Sequence, residues 1–306
     1  MRAPFPYFGG KSRVSSVVWE ALGDVSHYVE PFAGSLAVLL SRPGGAGLTE
    51  TVNDMDGLLV NAWRAMKADP AGLAEVCDWP VSELDLHARH TRLIAQRENI
   101  TERLRADPDY YHIQLAGWWI WGACCWIGSA WGLRQRQQVP YLSYRGQGIH
   151  RSDIDSVGAW FDALGGRLAR VRIACGDWRR VLTPSVLETQ GQAGVFLDPP
   201  YDAPGANCVN PYALKGRDSI SAEVAAWAFE MGTRPGVRIV LCGYDGEHIA
   251  PEGWRVISWK AHGGYGSQAQ NAARENAGRE RLWLSPHCLP TSKEAGAQLS
   301  LLAGTR

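Results

Sequence analysis

The chain carries no net charge. Thirty-one lysines and arginines offset thirty-one aspartates and glutamates over 306 residues, which excludes a wholesale basic coat for nucleic acid. Long apolar runs are missing too: none reaches the roughly 18–20 residues that a membrane-spanning helix needs. The opening stretch, MRAPFPYFGGKSR, has no apolar segment of a signal peptide, so a cytoplasmic protein with no membrane partner is expected. The seven cysteines, at 77, 124, 125, 175, 208, 242 and 288, show no CxxC spacing. That fits reduced thiols, disfavours a disulfide framework or zinc site, and leads us to expect no metal. Internal repeats and low-complexity tracts are absent as well. What is present is ordinary globular composition, 45% hydrophobic and 20% charged, which fits neither disorder nor a fibre. The length suits one large domain or one domain with an insertion. The one abnormal count is fourteen tryptophans.

Short apolar runs alternate with helical patterns, as an open α/β sheet requires. Tyr28 and Val29 end a strand that runs into the turn EPFAGS, and Leu39 and Leu40 lie in the helix that this turn opens. Residues 49–53 read as a second strand and 57–67 as its following helix. Residues 171–175, 193–198 and 237–242 read as further buried strands, with a crossover helix over 221–231. Between residues 70 and 150 the rhythm breaks. A polar helical pattern over 82–105 precedes an aromatic-rich helix over 110–126, whose Trp118, Trp119, Trp121 and Trp126 are expected to be core. Residues 128–151 read as a loop and hairpin carrying Arg134, Arg136, Arg145 and Arg151, with no acid after Leu133. This stretch is expected to be an inserted second domain. The segment after Pro290, polar and small, reads as a mobile tail.

The sharpest chemical signal is Asp198-Pro199-Pro200-Tyr201, directly after the apolar run AGVFL. Two prolines fix φ and remove amide donors, which makes a rigid turn with free carbonyls at the carboxyl edge of the sheet. Such a turn can accept both N–H bonds of an amino group, at Asp198 and the Pro199 carbonyl, while Tyr201 stacks on the attached ring. The plain structural alternative is a strand cap. Glu30-Pro31-Phe32-Ala33-Gly34-Ser35 is a small-residue turn into a helix, where Gly34 permits close backbone approach by a ligand. Asn53 and Asp54 end the next strand, where an acid takes ribose hydroxyls in dinucleotide folds or simply closes a turn. Tyr7, Gly9, Gly10, Lys11 and Ser12 end in GGKS, but P-loop spacing fails because Phe5 stands five before Gly10. Aromatics on one side and Lys11 on the other can instead line a pocket. At Cys175-Gly176-Asp177-Trp178, Asp177 can accept from a purine amino group beside Trp178, or cap a turn over a core indole.

In this order, YFGGK, EPFAGS, ND, GDW and LDPPY resemble the Dam-type family of DNA adenine N6 methyltransferases, the alpha group of the D12 class. The resemblance spans residues 1 to about 285. It implies a Rossmann-like, seven-stranded sheet that uses S-adenosylmethionine, with a helical and β-hairpin insertion for DNA recognition. The implied division is a catalytic domain at 1–69 and 151–290, a target-recognition domain at 70–150 and a tail at 291–306. Tyr7, Gly9, Gly10 and Lys11, then Glu30, Pro31, Phe32, Ala33 and Gly34, then Asp54, Asp177, Trp178 and Asp198 match cofactor positions. Asp198, Pro199, Pro200 and Tyr201 match the catalytic turn. Arg274 to Leu284, ARENAGRERLWL from Ala273, looks like the Arg-Glu-Leu-Trp strand near the end of such enzymes. Arg134, Arg136, Arg145 and Arg151 are the expected contacts to duplex DNA, whose target base would be flipped out.

One departure is Leu36, where family members commonly carry a second glycine; a side chain there would narrow the cofactor pocket. The resemblance implies a bacterial or phage-encoded, site-specific enzyme, and for want of an association seam in the sequence a monomer is expected. Restriction-modification, orphan and phage settings fit it equally. N4-cytosine methylation uses the same turn logic, often with serine first. A protein-glutamine methyltransferase would usually place asparagine there, and a non-catalytic nucleic-acid-binding relative is the reading from a different class.

Overall fold

The computed structural model describes residues 1–7, 9–44, 49–127, 131–134, 139–142, 146–187, 191–201, 220–259 and 278–295. Its strands are β1 (His27–Glu30), β2 (Thr49–Asp54), β3 (Arg172–Cys175), β4 (Ala193–Leu197), β5 (Val237–Tyr244), β6 (Arg255–Ser258) and β7 (Glu280–Leu284). Between them run α1 (Ser15–Leu22), α2 (Ala37–Leu40), α3 (Gly57–Ala68), α4 (Pro70–Cys77), α5 (Glu83–Ala106), α6 (Ile113–Ala123), α7 (Val157–Leu168), α8 (Pro184–Leu187) and α9 (Ile220–Met231).

The strands form one seven-stranded sheet in the order β3-β2-β1-β4-β5-β7-β6. β1 to β5 pair in parallel, and β7 runs antiparallel between β5 and β6. This is the α/β sheet that the resemblance implies. Parallel pairing demands cover on both faces, and the period of two along β1 supplies it. Tyr28 belongs to the core shared with α1, α2 and α3, and Val29 to the opposite one with Val195, Leu197 and Ile239. Chain order reverses between β1 and β4, so the loops at their carboxyl ends diverge and leave the crevice where open α/β sheets bind ligands.

Local chemistry sets the helix ends. Asp56 caps α3 by accepting from the Leu58 amide, and Asp69 caps α4, which begins with Pro70. Ser82 caps α5, whose first turn carries Glu83 and Asp85 and whose last carries Arg103 and Arg105, matching the helix dipole at both ends.

The helices within residues 70–150, read as an inserted domain, do not stand apart from the rest. α6 packs against α3 and α4, and one apolar core joins Trp63 of α3 to Leu115, Trp119 and Ile120 of α6. Phe5 bridges them, with ring centroids 5.2 Å from Trp63 and 4.9 Å from Trp119. Trp119, Trp121 and Trp126 are buried, with Trp131 beside them, while Trp118 is half-buried near the Arg89 guanidinium. Of the stretch read as loop and hairpin, residues 131–134, 139–142 and 146–151 are described. They form turns and a short 3-10 helix, Gly148–His150, with no strand among them.

Thr291 and Glu294, the first residues of the stretch read as a mobile tail, are docked. Thr291 is buried, Arg255 pairs with Glu294 at 3.0 Å and the Ser292 amide donates to Glu20. One ion pair and the hydrogen bonds to Glu20 hold what polar composition alone reads as loose. Cys77, Cys124, Cys125, Cys175, Cys242 and Cys288 are free and buried; Cys208 lies outside the described residues. Among the described residues no helix is long and apolar enough to cross a membrane, and no cluster of potential ligands could hold a metal ion.

Candidate functional site

The motifs singled out in the sequence lie at the carboxyl ends of β1, β2, β3 and β4, and the N-terminal turn joins them. Gly34 has φ of +47°, and a Cβ there would come 2.8 Å from the Tyr7 ring. Only glycine allows that backbone and that approach together. The turn is fixed from three further directions. Its Gly34 amide donates to Asp54 Oδ2 at 3.1 Å, its Gly34 carbonyl accepts from the Trp63 indole at 3.0 Å, and the Ala33 amide donates to the Asn53 carbonyl at 2.9 Å. Asn53 ties three strand ends together, its side-chain amide donating to the carbonyls of Pro31 and Gly176.

Asp54 is buried, and its second oxygen accepts from the Asp56 amide at 2.9 Å. Asp56 in turn pairs with Arg97 of α5 at 3.1 Å. Neither Asp56 nor Arg97 was legible as a site residue in the sequence. The Arg97 guanidinium also donates to the Gly132 carbonyl, so one side chain of the insertion braces the turn after β2. Burial and the Asp54, Asp56 and Asp198 carboxylates hold the Tyr7 hydroxyl far above its ordinary pKa, so Tyr7 stays neutral.

Leu36 follows in the left-handed region, φ 55° and ψ 26°, where glycine is the favoured residue. Its side chain is fully buried in the core. The leucine expected to narrow a pocket is therefore packed beneath the turn. Glu30 is also built inward: it is 2% exposed and accepts the Tyr28 hydroxyl at 3.0 Å. Burial pushes its carboxyl up to about 8, against the opposing Tyr28 bond. The structure does not bring Glu30 to the open edge with the other motif residues.

Beyond β3, Asp177 caps a 3-10 turn, Trp178–Val181, by accepting from the Arg179 amide, and pairs with the Arg179 guanidinium at 3.3 Å. Arg179 also bonds Glu223 of α9. Trp178 is buried between Phe32, 6.2 Å away, and Trp227, 5.9 Å away. This is the geometry of a capping acid over a core indole, with the Asp177 side chain part-exposed.

At the end of β4 the Asp198 carboxylate is 21% exposed. The buried Lys11 ammonium sits 2.9 Å from Asp198 Oδ1, and the Tyr201 hydroxyl lies 2.8 Å from the same oxygen. Lys11 also donates to the Gly9 carbonyl at 2.7 Å and lies 5.2 Å from the centre of the Tyr201 ring. Burial opposes the Lys11 charge, but Asp198 and Glu280 outweigh it and raise its pKa above the lysine norm. Glu280, at the start of β7, completes the cluster: its Oε2 is 3.2 Å from the Tyr201 hydroxyl and 4.0 Å from the Lys11 ammonium. The sequence places Glu280 on a strand without assigning it a role.

Of the four arginines read as DNA contacts, Arg134 is exposed, with its backbone carbonyl held by the His90 ring at 2.9 Å. Arg151 forms a two-pronged pair with Asp153, an acid just past the basic run. Arg136 and Arg145 lie outside the described residues.

Comparison with known proteins adds a partial match. No curated protein matches the chain. A family model does, over residues 7–116, and that family is the D12 class N6 adenine-specific DNA methyltransferases.

Proposed function

We propose that the protein transfers a methyl group from S-adenosylmethionine to the exocyclic N6 of a flipped-out adenine in duplex DNA, at a specific sequence. The observation that carries this reading is the Asp198-Pro-Pro-Tyr201 turn at the switch point of the sheet, with Asp198 pinned through one oxygen by Lys11 and Tyr201. The family match supports it from the other side. It spans the N-terminal GGK turn, the glycine turn, Asp54 and the helices as far as α6, and so supplies independent support for a chemistry whose catalytic turn lies outside the matched residues.

The residues present fit the cofactor. Gly34 makes a turn that a Cβ would fill, Asp54 and the part-exposed Asp177 offer acceptors, and Phe32 with Trp178 makes an aromatic wall. Two of the Asp54 acceptor positions serve backbone amides, and a carboxylate has lone pairs to spare. In this reading Tyr7, Gly9, Gly10, Lys11, Pro31 and Ala33 complete the cofactor site, with Glu30 buried beneath. When bound, S-adenosylmethionine supplies an electrophilic methyl group on a sulfonium.

The chain's own residues prepare the acceptor. The adenine amine is a poor nucleophile because its lone pair is delocalised into the ring. Asp198 and the Pro199 carbonyl, by accepting its two N–H bonds, favour a pyramidal nitrogen with a directed lone pair. Pro199 and Pro200 hold that carbonyl rigid. Such positioning recovers about 7–11 kcal/mol of a barrier when reactants are well held. Tyr201 gives the extruded base a replacement stacking partner, worth about 1–3 kcal/mol. The helices and loop of residues 70–150 serve target recognition in this reading, with Arg134 on the DNA side. The test is Asp198→Ala: methyl transfer to DNA is lost while S-adenosylmethionine binding, measured by calorimetry, survives. Full activity in that variant would sink the mechanism.

A further inference from the structure

Glu280 is nearly buried, 6% exposed, on a strand that pairs antiparallel with β5, its residue opposite Tyr244. A carboxylate at such a place costs free energy unless it is matched. Its partners are the two side chains that also hold Asp198. The Tyr201 hydroxyl has one proton and two carboxylate neighbours, Asp198 Oδ1 at 2.8 Å and Glu280 Oε2 at 3.2 Å. Lys11 stands 2.9 Å from the first acid and 4.0 Å from the second. The Tyr201 ring is further set by the Tyr244 edge at 4.7 Å.

We propose that Glu280 is a positioning residue of the target site: from the side opposite Asp198 it holds the Tyr201 hydroxyl and the Lys11 ammonium, leaving the second Asp198 oxygen to the target amine. This deepens the proposed function and rests on it. Without the Glu280 charge, the hydroxyl and the ammonium have Asp198 alone, and the stacking ring loses one of the two acceptors that orient it. Several titratable groups among the described residues bear on its ionisation. Lys11 faces it from the N-terminal turn, Asp198 and Tyr201 from the turn after β4, Cys242 and Tyr244 from β5, and Glu247 from the loop that follows. Burial raises its pKa, Lys11 opposes this and Asp198 adds to it.

Two measurements test the assignment. In Glu280→Gln, kcat on DNA falls about 10- to 100-fold, the scale on which misplacement by about an ångström acts; the Kd for S-adenosylmethionine stays within about twofold, since no cofactor contact is removed. Independently of activity, the Glu280 carboxyl is followed by carbon-13 NMR, its signal identified by its loss in Glu280→Gln. Its titration lies above the ordinary glutamate range and moves higher in both Lys11→Met and Tyr201→Phe. A Glu280→Gln enzyme with wild-type kcat, or a Glu280 titration unmoved by both substitutions, would overturn the proposal. A wild-type protein that methylates no DNA yet shows the coupled titration would overturn the function instead and leave the cluster in place.

Discussion

Asp198 and Glu30 are both acids at strand ends, and their surroundings give them opposite uses. Asp198 is partly open and paired with Lys11, whereas Glu30 is sealed against Tyr28 and pushed up to about 8. A buried carboxyl that keeps its proton longer than in the unfolded chain contributes stability at low pH. That contribution is fully present below the unfolded value of 4.5 and is lost as pH rises towards about 8. At roughly 1.4 kcal/mol per tenfold change in proton affinity, the loss is at most about 5 kcal/mol. Glu30→Gln removes this titration, so urea midpoints of the variant fall less across this window than those of the wild type. Parallel curves for the two proteins would contradict the assignment. The Asp198-Pro-Pro-Tyr turn was legible because residue types alone determine its chemistry. The Lys11–Asp198–Glu280 cluster was not, since its members are far apart in sequence and meet only when β4 and β7 flank β5.

At the scale of elements, the turn between β1 and α2 shows how packing overrides local preference. Leu36 is the one non-glycine residue with positive φ among the described residues, a conformation that costs about 1–2 kcal/mol. Its fully buried side chain more than offsets this, because truncating a buried leucine typically costs about 2.7–5 kcal/mol. Leu36→Gly therefore relieves the backbone and still destabilises the protein, by about 2 kcal/mol net in chemical denaturation. A variant more stable than the wild type would show that strain dominates. The parallel strands were readable because burial on both faces makes them continuous apolar runs, as in Ala193–Leu197, where every residue is buried. β6 was not readable. Its four residues at the sheet edge are mostly exposed, with Ile257 the buried one, which leaves neither a run nor an alternation long enough to see.

Across the whole molecule, zero net charge does not exclude a nucleic-acid reading, because several acids are taken up in buried pairs and turns while a base can stay exposed. Asp54, Asp56, Asp198 and Glu280 are drawn inward by amide donors, Lys11 and Arg97, while Arg134 stays exposed. Arg151, bonded to Asp153, is the weaker candidate for a phosphate contact. Arg134→Ala weakens DNA binding and lowers the slope of log affinity against log salt by about one for each lost phosphate contact; an unchanged slope would move the DNA surface elsewhere. Ten of the fourteen tryptophans are buried, and five of them, Trp63, Trp119, Trp121, Trp126 and Trp131, share the core in which α6 packs against α3. The central claim is tested most directly by incubating the purified protein with S-adenosylmethionine and mixed-sequence duplex DNA and mapping the methylated bases. The account predicts N6-methyladenine in one sequence context, absent with Asp198→Ala. No methylated adenine in any context would contradict it.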